Sequence, residues 1–252
     1  MNPVVRGLRG LGVASWLVAR SGCGIGPDLL ARDAIVTQRM ADALLTYLWA
    51  PLPVLAALAS LVGIVAGTAA ARLLALYHVE LAIEPGLAAS LCRDVVPLLV
   101  GLFAAGRVSV DLAARLAGAS LAHEVDALEV LGRDPVRHFL SPALLGVLVA
   151  APVHMLVAAA CTLATTGLAI DLARETHWAT YLHLVVSDGT ARALAGGTAK
   201  GVLFAVLAFA VGAAIGARGV RDPADVGARA TAAFTAGLLA IFAADAVWTV
   251  LA

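Results

Sequence analysis

The 252-residue sequence has few charged residues and no excess of either charge. Charged residues make up 13% of it, and 17 basic residues balance 17 acidic ones, so no basic surplus exists to neutralise nucleic-acid phosphates. Three scattered cysteines without CxxC spacing argue against a metal site or a disulfide framework. The sequence also lacks a GxxxxGK[ST] loop, so ATP hydrolysis would have to come from a partner. No cofactor, metal or catalytic residue is indicated.

Apolar residues, by contrast, are abundant and form long uncharged runs. They make up 62% of the chain, and the mean hydropathy is +0.95, far from the balance of a soluble domain. The run 43–71 contains no charge and is long enough to cross about 30 Å of hydrocarbon at about 1.5 Å per residue. The sequence therefore predicts an all-α polytopic membrane protein with about five transmembrane helices. The four further spans are 87–114, 139–170, 189–217 and 230–252.

Gly63 and Gly67 form a GxxxG pair within the first predicted span. Small residues at this spacing allow another helix to approach closely in a membrane. The pair therefore indicates a helix contact at this point, although the pattern is weak in a chain rich in alanine and glycine.

Residues 1–42 form a separate N-terminal segment. Arg6 and Arg9, followed by the apolar stretch 11–19, imitate a signal peptide, but Arg20 stands where a small-residue cleavage site is required. The apolar stretch is also too short to span a membrane. We therefore predict one or two amphipathic helices lying on the cytoplasmic membrane face, and regard a cleaved signal peptide as the weaker alternative.

The distribution of arginine predicts the orientation. An N-terminus in the cytosol places most basic residues in cytosolic segments, with Arg72 and Arg174 as the clear exceptions. The positive-inside rule then favours five spans of the cytoplasmic (inner) membrane, with the C-terminus outside.

A charged island separates the second and third spans, between Arg115 and Pro142. Apolar residues recur in it at spacings of four, three and three, which predicts one face of a short helix. These residues are Leu121, Val125, Leu128 and Leu131. Ser120 is expected to cap the helix, and Gly132 with Asp134-Pro135 to end it. Such a helix, within about residues 120–138, suits the docking of another protein, but the spacing is equally compatible with an ordinary solvated helix.

The stretch E-x-D-A-L-E-V-L-G-x-D-P-x-R-x-x-x-x-P, from Glu124 to Pro142, resembles the coupling segment of the MlaE/YrbE family. Members of that family are permease subunits of MCE-type ABC transporters, which move lipids. The resemblance extends from about Leu44 to the C-terminus and implies a permease domain over residues 43–252. It also implies that the short helix seats in a groove of a cytoplasmic ATPase. The expected coupling residues are Glu124, Asp126, Leu128, Glu129, Asp134 and Arg137.

Four charged residues fall inside predicted spans: Arg93, Asp94, Lys200 and Asp245. A charge at the bilayer centre costs about 2.5–3.5 kcal/mol on insertion scales, so such residues usually face a bundle interior or a wet cavity. Counted at about 1.5 Å per residue, all four lie in the outer half of the membrane and could form two pairs of opposite charge. One interpretation is a structural ion-pair network. The other interpretation is that these residues form the polar lining of a lipid cavity. It is supported by the motif R-D-x-x-P (Arg93 to Pro97), which resembles the family's R-E-x-x-P.

The resemblance implies a permease that moves lipids, with phospholipids favoured, between the cytoplasmic membrane and the cell envelope. It further implies a homodimer, or a heterodimer with a paralogous permease, together with a separate ATPase and an MCE-domain protein on the outer side. A non-transporting membrane scaffold that anchors an MCE assembly is the main alternative. A secondary transporter is disfavoured because the sequence shows no broken helices in two matching halves.

Overall fold

The computed structural model describes residues 3–30, 34–77, 84–174, 181, 185, 188–220 and 222–251. Over these ranges every regular element is a helix and no strand occurs, which confirms the all-α prediction. The N-terminal segment contains two helices, although its residues 31–33 lie outside the described ranges. In chain order the helices are α1 (Pro3–Leu30), α2 (Ala34–Leu44), α3 (Leu52–Tyr77), α4 (Glu84–Ser90), α5 (Val96–Ala104), α6 (Val110–Leu121), α7 (Glu124–Val130), α8 (Pro135–Arg174), α9 (Asp188–Gly216) and α10 (Pro223–Leu251).

Five stretches of the described chain are long and apolar enough to cross a membrane, as predicted. Four of the five begin or end a few residues beyond the predicted limits because flanking residues remain helical, whereas Gly189–Gly216 falls within the predicted 189–217. The first span contains a two-residue turn at Ala50 and Pro51. The five spans are Gln38–Leu73, Gly86–Leu121, Pro135–Ala173, Gly189–Gly216 and Pro223–Leu251.

Three π-helical turns interrupt the first two spans. They are Leu45–Trp49 in the first span, and Leu91–Val95 and Ala105–Ser109 in the second. The first precedes Pro51 and the second precedes Pro97. Proline lacks the N–H group and its ring collides with the carbonyl four residues earlier, so a widened turn lets the helix continue. The second span passes through the charged residues Arg93 and Asp94 as a π turn.

The chain forms two compact units, each assembled from segments distant in sequence. The first contains Met1–Ala50, Gly101–Ala150 and Phe204–Ala252, and the second contains Pro51–Val100 and Ala151–Leu203. In the first unit, two glycines bring neighbouring spans close to Ser109. A Cβ atom at Gly212 would lie 2.7 Å from the Ser109 Cα atom, and one at Gly237 would lie 2.9 Å from its Oγ atom. Small residues therefore set the helix separation here.

In the second unit, Gly63 and Gly67 of the first span pack against the third span. A Cβ atom at Gly63 would collide with the Thr162 carbonyl, and one at Gly67 would lie 2.5 Å from the Thr166 carbonyl oxygen. The Thr166 hydroxyl donates a hydrogen bond to the Gly63 carbonyl at 3.0 Å, and the Thr162 hydroxyl donates one to the Ala59 carbonyl at 3.1 Å. The close helix contact predicted from the GxxxG pair is confirmed.

The short helix of the charged island is α7, and its start differs from the prediction. Ser120 does not cap it, because burial of Leu112 and Leu116 keeps α6 helical through Leu121. The residue before α7 is His123, whose φ of 57° is left-handed. Its Nδ1 atom lies 3.0 Å from an Asp126 carboxylate oxygen, a local contact that favours this turn.

The predicted end of α7 is correct. Gly132 has a φ of 69°, the left-handed conformation that suits glycine after a helix, and Pro135 opens α8. The predicted apolar face is only partly formed. Leu128 is buried, whereas Leu121 belongs to α6 and Leu131 is 72% exposed.

Candidate functional site

A buried lysine and an aspartate meet in the second unit. Asp94 lies in the π turn Leu91–Val95, and Lys200 lies on α9. The Lys200 Nζ atom is 3.6 Å from an Asp94 carboxylate oxygen, so the contact is an ion pair and not a short hydrogen bond. The Lys200 side chain is 1% exposed, whereas that of Asp94 is 53% exposed. The structure therefore forms one of the opposite-charge pairs predicted for these spans.

A glycine one turn before Lys200 makes this burial possible. A Cβ atom at Gly197 would collide with the carbonyl oxygen of Cys92 and lie 3.1 Å from the ring of Pro97. The absence of a side chain lets α9 contact the π turn directly, and Lys200 is then covered by the packed helices. The pair thus depends on local features of both spans: a π turn on one and a glycine on the other.

The other two predicted membrane charges are placed differently. Arg93, beside Asp94 in the π turn, is exposed. Asp245 belongs to the first unit, where it is partly buried on α10 and its carbonyl oxygen accepts a hydrogen bond from the Thr249 hydroxyl at 2.9 Å. The structure therefore brings together Asp94 and Lys200 from the predicted set of four.

The second predicted group is the surface helix α7. Its residue Leu128 anchors it, while the acidic residues Glu124, Asp126 and Glu129 are exposed. Val130 is 87% exposed. With the exposed Leu131 described above, α7 presents three carboxylates beside an apolar tip.

Asp134 has more contacts than the sequence indicated. One of its carboxylate oxygens accepts a hydrogen bond from the Val136 N–H group at 3.0 Å, which caps α8. The other is 2.8 Å from an Arg20 guanidinium nitrogen, so Asp134 also ties α1 to the start of α8. The Arg20 guanidinium lies over the Trp16 ring, 4.8 Å from its centroid. Arg137, the remaining predicted coupling residue, is exposed.

A polar network between the first and second spans was not predicted. The Tyr47 hydroxyl donates a hydrogen bond to Asp111 at 2.8 Å, and the same carboxylate oxygen forms an ion pair with the Arg115 Nε atom at 2.9 Å. The spacing of Asp111 and Arg115 is the usual helical ion-pair spacing and could have identified that half of the network. The contribution of Tyr47 has no local sequence signal, because it depends on how the two spans pack.

Comparison with known proteins assigns a family to this arrangement. The profile of the family described as Permease MlaE matches residues 40–251, which include nearly all of the first span, the other four spans and α7. The chain belongs to the MlaE permease family. This confirms the resemblance drawn from the segment Glu124 to Pro142.

Curated relatives of this MlaE-family chain match a shorter stretch. A protein of Rickettsia typhi named "probable ABC transporter permease protein" is 35% identical over 68 residues, which is 27% of this chain and 26% of that protein. A similarly named protein of Rickettsia felis is 32% identical over 81 residues, 32% of this chain and 31% of the relative. The matched stretch therefore spans about a third or less of each of these relatives.

Proposed function

We propose that this MlaE-family chain is the membrane-spanning permease subunit of an ABC transporter that moves phospholipids between the cytoplasmic membrane and the cell envelope. One observation carries the proposal: the family match extends from residue 40 to residue 251 and so includes the membrane spans and the surface helix. The names of the Rickettsia relatives support the assignment to ABC permeases.

The proposal requires a separate ATPase, and α7 is the surface that we assign to it. The helix lies between the second and third spans, on the side that the arginine distribution assigns to the cytosol. Its three exposed carboxylates can pair with basic residues of a partner, and its exposed Val130 can pack in an apolar groove. Movement of the ATPase would reach the second and third spans through α7.

The lipid pathway is assigned to the polar groups of the membrane spans. Lys200 and Asp94 supply a buried cation beside a half-exposed carboxylate, and Arg93 is exposed in the same π turn. Asp245, in the first unit, remains a separate candidate. In this proposal, helix movement during transport brings a phosphate to the ammonium group, whose side chain is 1% exposed in the structure. We further propose a dimer of this chain, or of this chain with a paralogous permease, in contact with an MCE-domain protein on the outer side.

Charge reversal on α7 tests the coupling. In complexes with the ATPase, Glu129→Arg should lower co-purification of the ATPase and permease-stimulated ATP hydrolysis severalfold, because an exposed carboxylate becomes a cation at the contact. Asp225→Arg is the matched control, since Asp225 is an exposed carboxylate in the first turn of α10 and lies outside α7. Equal hydrolysis and equal recovery of the ATPase in both variants would contradict docking through Glu129.

Lipid transfer separates the permease from a membrane scaffold. Reconstituted complexes of a transporter should transfer labelled phospholipid in an ATP-dependent manner, and Glu129→Arg should lower the rate. A scaffold would hold the MCE-domain protein in the membrane without any ATP-dependent transfer, and that result would reject the transport proposal.

A further inference from the structure

The first unit contains a cavity of about 270 Å³ whose lining does not include Asp94 or Lys200. Its lining comes from the beginning of the first span, the end of the second and the beginning of the third. Because these span ends mark the level where apolar sequence gives way to polar sequence, the cavity lies at a membrane–water boundary. In the orientation proposed above, this is the cytosolic boundary.

The first cation of the cavity is Arg39. Its Nη1 atom lies 2.7 Å from His138 Nδ1. Arginine has only donors, so the histidine nitrogen must accept this hydrogen bond and the ring carries its proton on Nε2. No described carboxylate lies within ion-pair distance of Arg39. The neutral imidazole therefore positions the guanidinium group without cancelling its charge.

The second cation is Arg115. Its Nε atom forms an ion pair with Asp111, which is itself held by Tyr47, as described above. The guanidinium group also carries two terminal amino groups that can act as donors, and the side chain is 55% exposed. One acidic side chain, the exposed Asp42, also lines the cavity. The cavity thus presents two oriented guanidinium groups and one hydrated carboxylate.

The remaining wall is largely apolar and includes Leu112, Phe139 and Pro142. Guanidinium groups bind phosphate oxygens through paired N–H donors, and an apolar wall favours a hydrocarbon chain attached to the phosphate. We propose that this cavity binds the phosphate group of a phospholipid headgroup, with Asp42 selecting headgroups that also carry an amine. Free phosphate would engage the same two arginines without using the apolar wall.

Direct binding to the purified 252-residue chain tests this site without reference to transport. Short-chain phosphatidylethanolamine, phosphatidylglycerol, diacylglycerol and inorganic phosphate are each titrated in neutral detergent, with retention measured by native mass spectrometry. We expect both phospholipids to bind and diacylglycerol not to. Arg39→Gln should weaken phospholipid binding about tenfold, the loss typical of a charge-assisted hydrogen bond.

Three further variants make the test specific. Arg218→Gln removes an exposed arginine that does not line the cavity and should change affinity less than about twofold. Arg39→Lys keeps the charge and so controls for a folding defect caused by its loss. It should weaken phospholipid binding less than Arg39→Gln does. Asp42→Asn should remove any preference for the ethanolamine headgroup over the glycerol one.

Two outcomes would overturn the proposal. Equal weakening by Arg39→Gln and Arg218→Gln would show attraction to general surface charge. Binding of inorganic phosphate that depends on Arg39, without retention of either phospholipid, would assign the cavity to free phosphate and reject the lipid headgroup.

Discussion

The Lys200–Asp94 and Arg20–Asp134 pairs join the same kinds of charge in opposite surroundings. In the second unit, Lys200 is 1% exposed and its contact with Asp94 is 3.6 Å long. In the first unit, Arg20 and Asp134 are 45% and 30% exposed, yet their contact is shorter, at 2.8 Å. Distance alone would rank the exposed pair as the stronger. Burial reverses that order, because a charge without water depends on its partner far more than a hydrated one.

The two residues of the buried pair also differ in their exposure to solvent. Asp94 keeps half of its side chain exposed and can remain hydrated if Lys200 is replaced. Lys200 has no such access to solvent when Asp94 is replaced. Removing the carboxylate should therefore cost more than removing the ammonium group.

The largest effect is expected from Asp94→Leu, which breaks the buried pair from its exposed side. We expect the unfolding free energy to fall by about 3 kcal/mol, the lower part of the range for removing one partner of a buried ion pair. Lys200→Met should cost distinctly less. Thermal and denaturant unfolding of the reconstituted chain measure both, and equal losses would contradict the asymmetry.

The double variant separates packing from transport. Asp94→Leu with Lys200→Met should recover most of the lost stability, because the buried ammonium group is removed together with the carboxylate that faces it. Lipid transfer should stay low, since the groups proposed to meet a phosphate are gone. Recovery of both stability and transfer would leave this pair as a packing feature and reject its role in a headgroup site.

An intermediate effect is expected from Gly63→Ala, which tests whether close packing in the second unit is as important as its ion pair. The added Cβ atom would collide with the Thr162 carbonyl, so we expect a loss of about 1–3 kcal/mol, as is usual for overpacking. Gly196→Ala is the matched control, because it lies on a helix of the same unit with no atom within 4 Å of the new Cβ. Equal melting temperatures for the two variants would contradict the close contact.

The smallest effect is expected from Arg20→Gln in the first unit. An exposed ion pair contributes about 0–1 kcal/mol, and salt weakens it further. The melting temperature should fall slightly at low salt and match that of the unchanged chain at high salt. A large loss that salt does not alter would show that Arg20 acts through packing on Trp16, and the contrast between the two pairs would then be weaker than proposed.

The spans, the helix contact at Gly63 and one of the charge pairs could be predicted because each leaves a local or compositional signal. Uncharged runs identify spans, and a charge within such a run requires a partner of opposite sign. That reasoning left Asp94 and Asp245 as possible partners of Lys200. The structure pairs Lys200 with Asp94, because Gly197 lets α9 pack directly against the π turn that carries Asp94. The sequence spacing alone did not predict that the π turn and Gly197 would bring Asp94 and Lys200 together.

Contacts between distant residues were the part that could not be predicted. The bonds from Tyr47 to Asp111 and from Arg39 to His138 each join residues at least 60 positions apart and depend on helix packing. The error at Ser120 has the same origin. A serine before an apolar pattern is a normal helix cap, but burial of α6 made Ser120 part of the preceding helix instead.

The π turn Leu91–Val95 has a consequence for the genetics of this membrane span. A π turn is equivalent to a single-residue insertion that a helix has absorbed without breaking. Deleting one residue from the turn would allow an ordinary α-helical turn and rotate the residues on one side of it by about 100° relative to those on the other. A deletion of one codon there would therefore change which way Asp94 or the residues after it face, while composition and hydropathy stay almost the same.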